Sequence, residues 1–306
     1  MNYHDLLTLD DKAYKEFSYY IEQSRGILTH LVRLGRYKWR YIFHALLRLG
    51  FTPRFIIKSQ KTFWGKDLYM RILDQQFGPL LLFGTLIIEE HSLTRFLIKR
   101  IKSDDVFYDV GANYGFYTLL GNELAGEIHS FEPLPSVFLC LEKSIKGMSA
   151  NCYLNNIALS DTAGKINFYD TSKKHRGTAA SSMMKKVAEE RLKNYNTISV
   201  SSTTLDDYVS NHKPPTIIKI DVEGAEELVV RGAMETFSKH KPLIIMEIWG
   251  KERLYGDSAH FKAVRMLLGL GYKAHHLDED GEIHYLNEDS LGRHMAKLKR
   301  DNIVFS

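Results

Sequence analysis

The chain has 306 residues, 44% of them hydrophobic and 25% charged, with a formal net charge of +4 at pH 7, which argues against disorder and allows a full hydrophobic core. Its two cysteines, Cys140 and Cys152, have neither CxxC nor metal-type spacing, so a reduced, cytoplasmic setting is expected. No apolar run reaches the roughly 18 residues of a membrane-spanning helix, and the acidic start MNYHDLLTLDDK does not read as a signal peptide.

Residues 1–70 are expected to form a helical N-terminal extension, because strand alternation is missing there, with the main domain covering 71–306. Arg25 to Lys66 carries ten basic residues and no acid, interleaved with Tyr37, Trp39, Tyr41 and Phe43. Such a segment suits a solvated helical cap, the reading favoured here, or a basic amphipathic surface in peripheral contact with an anionic membrane or ligand. GPLLLFGTLII, from Gly78 to Ile88, is short and broken by glycine and proline, and reads as a buried strand or hairpin.

From about residue 71 short apolar strands alternate with helical segments, as in a parallel α/β sheet. Strands are predicted for VFYDV ending at Val110, EIHSFE ending at Glu132, NCYLNNIAL ending at Leu159, TIIKID ending at Asp221, LIIMEI ending at Ile248, YKAHHL ending at Leu277, and the terminal NIVFS. GKINFYD and NTISVSS read as shorter strands. YGFYTLLGNELAG, Pro135 to Lys146 and Glu223 to Ser238 read as helices, the second opened by its proline and the third supported by Glu227 and Arg231 four residues apart. The long basic stretch Thr171 to Asn194 is a candidate active-site loop or lid.

In an open α/β sheet a ligand sits outside the carboxyl ends of the strands, where strand order reverses. DVGANYG follows such a strand, and Gly111 and Gly115 would let the backbone turn tightly and approach a ligand. Glu132 ends the next strand, the position from which a carboxylate accepts hydrogen bonds from ribose hydroxyls. A dinucleotide site uses GxGxxG to face a pyrophosphate; here the spacing is GxxxG and Asp109 stands just ahead. An acid there suits a cationic ligand, so S-adenosylmethionine, with its sulfonium and ammonium, fits better than a nicotinamide dinucleotide.

With those residues in view, the chain resembles the FkbM-type S-adenosylmethionine-dependent methyltransferases. The resemblance rests on DVFYDVGANYGFYTLL, HSFEPLPSVF, NIALSD, TTLDDYV, IKIDVEGAE and PLIIMEI, in that order over roughly residues 80–250. It implies a class I methyltransferase (Rossmann-like) fold, a doubly wound, mostly parallel sheet with an antiparallel C-terminal strand. It also implies that Asp109, Gly111, Asn113 and Gly115 hold the methionine portion, Glu132 the ribose, and NIAL, with Asn156 and Ala158, the adenine edge. Transfer to a hydroxyl oxygen of a sugar, glycan or related metabolite is implied in the same way.

Methyl transfer is an in-line displacement, in which the protein contributes alignment and a group that takes the acceptor's proton. Lys219 and Asp221 share one face of their strand, Glu223 follows in the turn, and Glu247 closes the next strand; these four are the catalytic candidates. Their carboxylates, Asp221 and Glu247 above all, can alternatively hold a divalent metal that orients the hydroxyl. His275 and His276 face opposite ways on a strand, and with His284 are read as packed or solvated. Two rival readings remain: a nicotinamide-dependent oxidoreductase, opposed by the GxxxG spacing, and a nucleic-acid methyltransferase using the basic segments. No base-methylating motif or RNA-binding module supports the latter, and no nucleic-acid partner is expected.

Overall fold

Strands that are buried at every position need cover on both faces, and VFYDV and IIKI are such strands. A computed structural model describes residues 2–22, 42, 57–71, 77–86, 90–148, 151–171, 181–185, 189, 195–249, 259–297 and 300–306. Its strands, in chain order, are β1 (Ile57–Lys61), β2 (Asp67–Arg71), β3 (Val106–Val110), β4 (Glu127–Phe131), β5 (Cys152–Asn155), β6 (Ala158–Leu159), β7 (Gly164–Asp170), β8 (Asn196–Thr203), β9 (Ile217–Ile220), β10 (Leu243–Trp249), β11 (Ala274–Leu277), β12 (Ile283–Leu286) and β13 (Arg300–Phe305).

The main sheet has the order β12-β11-β13-β10-β9-β3-β4-β5. From β10 to β5 all neighbours are parallel, whereas β13 runs antiparallel to both β10 and β11. This is the doubly wound, mostly parallel sheet with an antiparallel C-terminal strand that the resemblance implies. Every residue of β3 and β9 is buried, and their side chains alternate between two apolar layers. Phe107, Ile217, Ile245 and Val304 enter one layer with the helices His91–Arg100, Phe116–Leu124 and Pro135–Ile145. Tyr108, Ile218, Ile220, Met246 and Phe305 enter the other, with Val229, Phe237 and Val264 from helices on that side. Strand order reverses between β3 and β9, so the loops that follow these two strands lie side by side.

Several predicted elements take another form. Of GPLLLFGTLII, Gly78 to Phe83 belong to the helix Phe77–Phe83 rather than to a strand or hairpin, and Ile87 and Ile88 lie outside the described residues; Leu80, Leu81, Leu82 and Phe83 are buried, with the Phe83 ring stacked on Phe17 at 4.7 Å. A short apolar run has no periodicity that separates strand from buried helix. Residues 1–70 are not purely helical: Tyr3–Glu22 is a helix, but β1 and β2 form an antiparallel hairpin. The hairpin is anchored by Trp64, whose buried ring meets Phe116 edge-on at 5.1 Å, and by the Tyr69 N–H, which donates to Ser144 Oγ at 2.9 Å.

NCYLNNIAL is two strands in different sheets, because β6 leaves the main sheet to pair with β8. The helix expected over Glu223 to Ser238 is split into Glu226–Arg231 and Met234–His240. At the break, a side chain on Gly232 would collide with the Ser160 carbonyl oxygen. β12 and the helix Glu288–Lys297 complete the C-terminal region.

The Tyr3–Glu22 helix docks on His91–Arg100. There Tyr14 stacks on His91 at 3.6 Å, His91 Nε2 lies 3.1 Å from Asp10, and Arg95 pairs with Asp11. Most of the basic stretch Arg25 to Lys66, and most of Thr171 to Asn194, lie outside the described residues. Within the described part, Lys61 and Lys66 make ion pairs with Asp67 and Glu123, each at 2.7 Å. No described helix is long and apolar enough to cross a membrane.

Candidate active site

At the carboxyl ends of β3 and β9 the two loops are tied together before any ligand is considered. The N–H groups of Gly111 and Ala112 both donate to the Phe131 carbonyl at 3.0 Å, and the Asp221 N–H donates to the Val110 carbonyl at 3.0 Å. Gly111 has φ +81°, and a Cβ on it would overlap the Asp221 carbonyl oxygen. Its missing side chain is therefore used first by the neighbouring loop. Gly115 likewise makes room for Leu141 on the Pro135–Ile145 helix.

A cleft opens above these loops, with an empty space of about 1140 Å³ including its mouth. Gly111, Asn113, Glu132, Ala158, Lys219, Asp221 and Glu223 all line it; Asp109, Gly115, Asn156 and Glu247 are not among its lining residues. One end is apolar, formed by Phe131, Leu134, Val137, Ile157 and Ala158. Between that end and the acids stands Glu132, whose carboxylate accepts from the N–H groups of Asn113 at 3.0 Å and Leu134 at 2.8 Å. Asn156 stands behind it and donates its amide to the Glu132 and Pro133 carbonyls at 2.8 and 3.2 Å, which fixes the turn leading out of β4.

Burial raises the Glu132 carboxyl to about 7, against the lowering effect of its two backbone donors. Ribose hydroxyls donate best to the ionised carboxylate, so affinity for S-adenosylhomocysteine is expected to fall as pH drops through that value. Glu132→Ala is expected to weaken this affinity by about thirtyfold at alkaline pH, the worth of a charge-assisted bidentate contact, and to flatten its pH dependence. Calorimetry across pH reads both effects, and wild-type affinity in the variant would remove Glu132 from the ligand.

The opposite end of the cleft is charged, and parity explains why. Asp109, Lys219, Asp221 and Glu247 alternate with apolar residues, and Arg300 has the parity of Val304, so that all five fall on the sheet face carrying Phe107, Ile217, Ile245 and Val304. Asp109 sits opposite Lys219 in the register. It is buried, Oδ2 accepts from Thr118 Oγ1 at 2.7 Å, and Oδ1 has no hydrogen-bond partner among the described residues. Burial raises its carboxyl, opposed by Lys219.

Lys219 is buried in the sheet with Nζ 3.0 Å from Asp221 Oδ2 and 5.2 Å from the centre of the Tyr117 ring. Burial pulls this ammonium down, but Asp221, Asp109 and Glu90 more than offset it, and the net shift is upward. Lys219 thus sits as counter-charge among Asp221, Asp109 and Glu90.

Asp221, Glu223 and Glu247 each bring a carboxylate oxygen within 4.8 Å of the others. Glu223 does so from a left-handed backbone conformation, φ +55°, which costs a non-glycine residue about 1 kcal/mol or more. Glu247 is 1% exposed; Trp249 Nε1 donates to its Oε2 at 2.7 Å, and Arg300 Nε meets Oε1 at 3.0 Å. Burial, then the charges of Asp221 and Glu223, holds the Glu247 carboxyl well above the usual range, with Arg300 opposing.

Residues that sequence reasoning missed complete this end. Glu90 precedes the His91–Arg100 helix, accepts from Tyr117 Oη at 2.8 Å, and pairs with Arg300 at 3.1 Å. Strand parity could have flagged Arg300, which shares a strand face with Asn302 and Val304; nothing in the local sequence marks Glu90. His275, His276 and His284 lie on β11 and β12 beyond β13, outside the cleft, with His284 Nε2 bonded to Asp278 at 2.7 Å.

These groups suit a ligand with an apolar, hydroxyl-bearing end and a cationic end. Among the lining residues both cations are already engaged, Lys219 with Asp221 and Arg300 with Glu90 and Glu247, so a pyrophosphate would meet mainly carboxylates. That disfavours a nicotinamide dinucleotide and fits S-adenosylmethionine. A divalent cation would find hard oxygen donors in Asp221, Glu223 and Glu247.

The profile of the methyltransferase FkbM domain matches residues 109–274, more than half of the chain. The chain belongs to the FkbM methyltransferase family. The FkbM match begins at Asp109 and ends at Ala274, so it includes the cofactor-side loops and the acid trio but not Glu90 or Arg300. A hexuronic acid methyltransferase, AglP of Haloferax volcanii, is 27% identical over 199 residues, 65% of this chain and 71% of that protein.

The crystal structure of a methyltransferase FkbM from Methylobacillus flagellatus KT superposes with a TM-score of 0.42 at 15% identity, over 68% of this chain and 44% of that one. This chain thus spans less than half of that larger FkbM protein. An rRNA methylase from Streptococcus thermophilus matches with a TM-score of 0.40 at 11% identity, over 71% of this chain and 95% of its own.

Proposed function

We propose that this methyltransferase moves the sulfonium methyl of S-adenosylmethionine to a hydroxyl oxygen of a sugar, glycan or related metabolite. The observation that carries the reading is that Asp221 and Glu223 line the cleft and that a carboxylate oxygen of Glu247, beside it, lies within 4.8 Å of theirs. Ile157 and Ala158 would hold the adenine, Glu132 would accept from the ribose hydroxyls, and Asp221 would face the methionine end. The acceptor oxygen attacks the methyl carbon, the carbon–sulfur bond breaks, and the hydroxyl proton passes to the carboxylate cluster. The hexuronic acid acted on by the archaeal relative supports a sugar acceptor.

Transfer of radiolabelled methyl from the cofactor into fractionated glycans, lipids and small metabolites of the source cell tests the reading; label found only in nucleic acid would overturn it. The same assay with the acceptor in hand tests the cluster. Because burial and the charges of Asp221 and Glu223 raise the Glu247 carboxyl well above the usual carboxylate range, kcat is expected to rise with pH to a midpoint above that range. Glu247→Gln is expected to abolish that rise, because a glutamine side chain does not titrate. A flat profile between about pH 5 and 9 would remove proton transfer from the cluster's role.

A further inference from the structure

The DVEG turn is built in a way that its own four residues do not explain. Glu223 at φ +55° and Gly224 at φ +96° are both left-handed, and the N–H groups of Val222 and Gly224, on either side of Glu223, point to one place. That place is occupied by Glu226. Its Oε1 accepts from both N–H groups at 3.2 Å, and the residue is completely buried. A carboxylate in a concavity of backbone N–H groups is an anion in a nest, here supplied by the same chain.

Behind Glu226 stands His260, 3% exposed, with Nδ1 3.3 Å from Glu226 Oε2. The His260 ring lies 5.0 Å from that of Trp249, whose Nε1 holds Glu247. The supports of Glu223 and of Glu247 therefore meet at one histidine, on the side away from the cleft. Neither Glu226 nor His260 lines the cleft, so neither touches a ligand.

We propose that Glu226 is a positioning residue that locks the DVEG turn in its left-handed form and thereby aims Glu223 at the reacting hydroxyl. This rests on the reading that Glu223 acts at the acceptor. A turn without the Glu226 oxygen leaves two N–H groups unpaired and has no reason to keep Glu223 in a costly conformation. A displacement of about 1 Å in a group that must meet a transition state can cost on the order of a hundredfold in rate.

The test uses the full chain with Glu226→Ala, Glu226→Gln, Glu223→Gln and the double variant Glu223→Gln/Glu226→Ala. Hydrogen exchange at the Val222 and Gly224 amides needs no acceptor. It is expected to accelerate at least about tenfold in Glu226→Ala and to stay near wild type in Glu226→Gln, whose amide oxygen still accepts both bonds. With the acceptor in hand, Glu226→Ala is expected to lower kcat about a hundredfold with little change in KM, Glu226→Gln to recover most of it, and S-adenosylhomocysteine affinity to hold in both.

The double variant is expected to be no slower than Glu223→Gln, because Glu226 acts through Glu223. Multiplying losses in the double variant, or unchanged amide exchange in Glu226→Ala, would overturn the proposal. Full turnover in Glu223→Gln would instead defeat the role given to Glu223, while the exchange measurement still judges the lock. If Glu226→Ala does not fold, Glu226→Asp keeps the charge but withdraws the oxygen by one methylene. It should show the same acceleration, and wild-type exchange there would count against the proposal.

Discussion

Asp221→Asn is expected to lower kcat by about a hundredfold or more while affinity for S-adenosylhomocysteine stays within about threefold. Asparagine keeps the shape of the side chain but cannot take a proton from the acceptor. The substitution also leaves Lys219, whose side chain is 3% exposed, without its nearest counter-charge at 3.0 Å. Breaking a buried pair from one side destabilises; with Asp221 partly open to solvent, a loss of about 2 kcal/mol is expected.

Adding Lys219→Met to Asp221→Asn should restore much of that stability and none of the turnover. A melt and a turnover measurement on the single and double variants thus separate the two consequences. Dialysis of the wild-type enzyme against a chelator completes the experiment. Turnover lost and then recovered with magnesium or manganese would assign the acid trio to a cation, whereas unchanged turnover leaves it with the proton. Near-normal turnover in Asp221→Asn would exclude the residue from the reaction.

Gly111→Ala is expected to cost about 3 kcal/mol or more of stability, a fall in Tm of at least about 6 °C, and to abolish measurable cofactor binding. The new methyl group would overlap the Asp221 carbonyl oxygen, and φ +81° is unfavourable for any side chain. That oxygen belongs to backbone, and the Asp221 N–H is bonded to Val110, so the obstacle cannot rotate away. Relief requires parting the β3 and β9 loops, both of which line the cleft. A Tm within about 2 °C of wild type would mean that the loops separate at little cost.

Local chemistry made much of this protein legible from its sequence. Apolar runs such as VFYDV and IIKI announced strands covered on both faces, since only burial stabilises such runs. The alternation of helices with them announced a parallel sheet, in which a ligand is expected at the loops that follow the strands. The acids at the strand ends could be named because polar residues interrupting apolar strands are costly unless they have a task.

Tertiary structure decided what those residues meet, because strand register and loop approach join positions far apart in the chain. Glu90 and Arg300 are 210 residues apart and reach one another only when β13 inserts beside β10. The glycine at 111 reads locally as room for a ligand, yet the β9 loop is what requires it. The GPLLLF segment is apolar enough for either a strand or a helix, and partners such as Phe17 select the helix. NCYLNNIAL divides between two sheets, and Asn156 at the division is bonded to carbonyls that follow β4. Sequence period encodes which face a side chain takes; only the assembled sheet decides which charges share that face, and therefore which carboxylates are raised, paired or left to act.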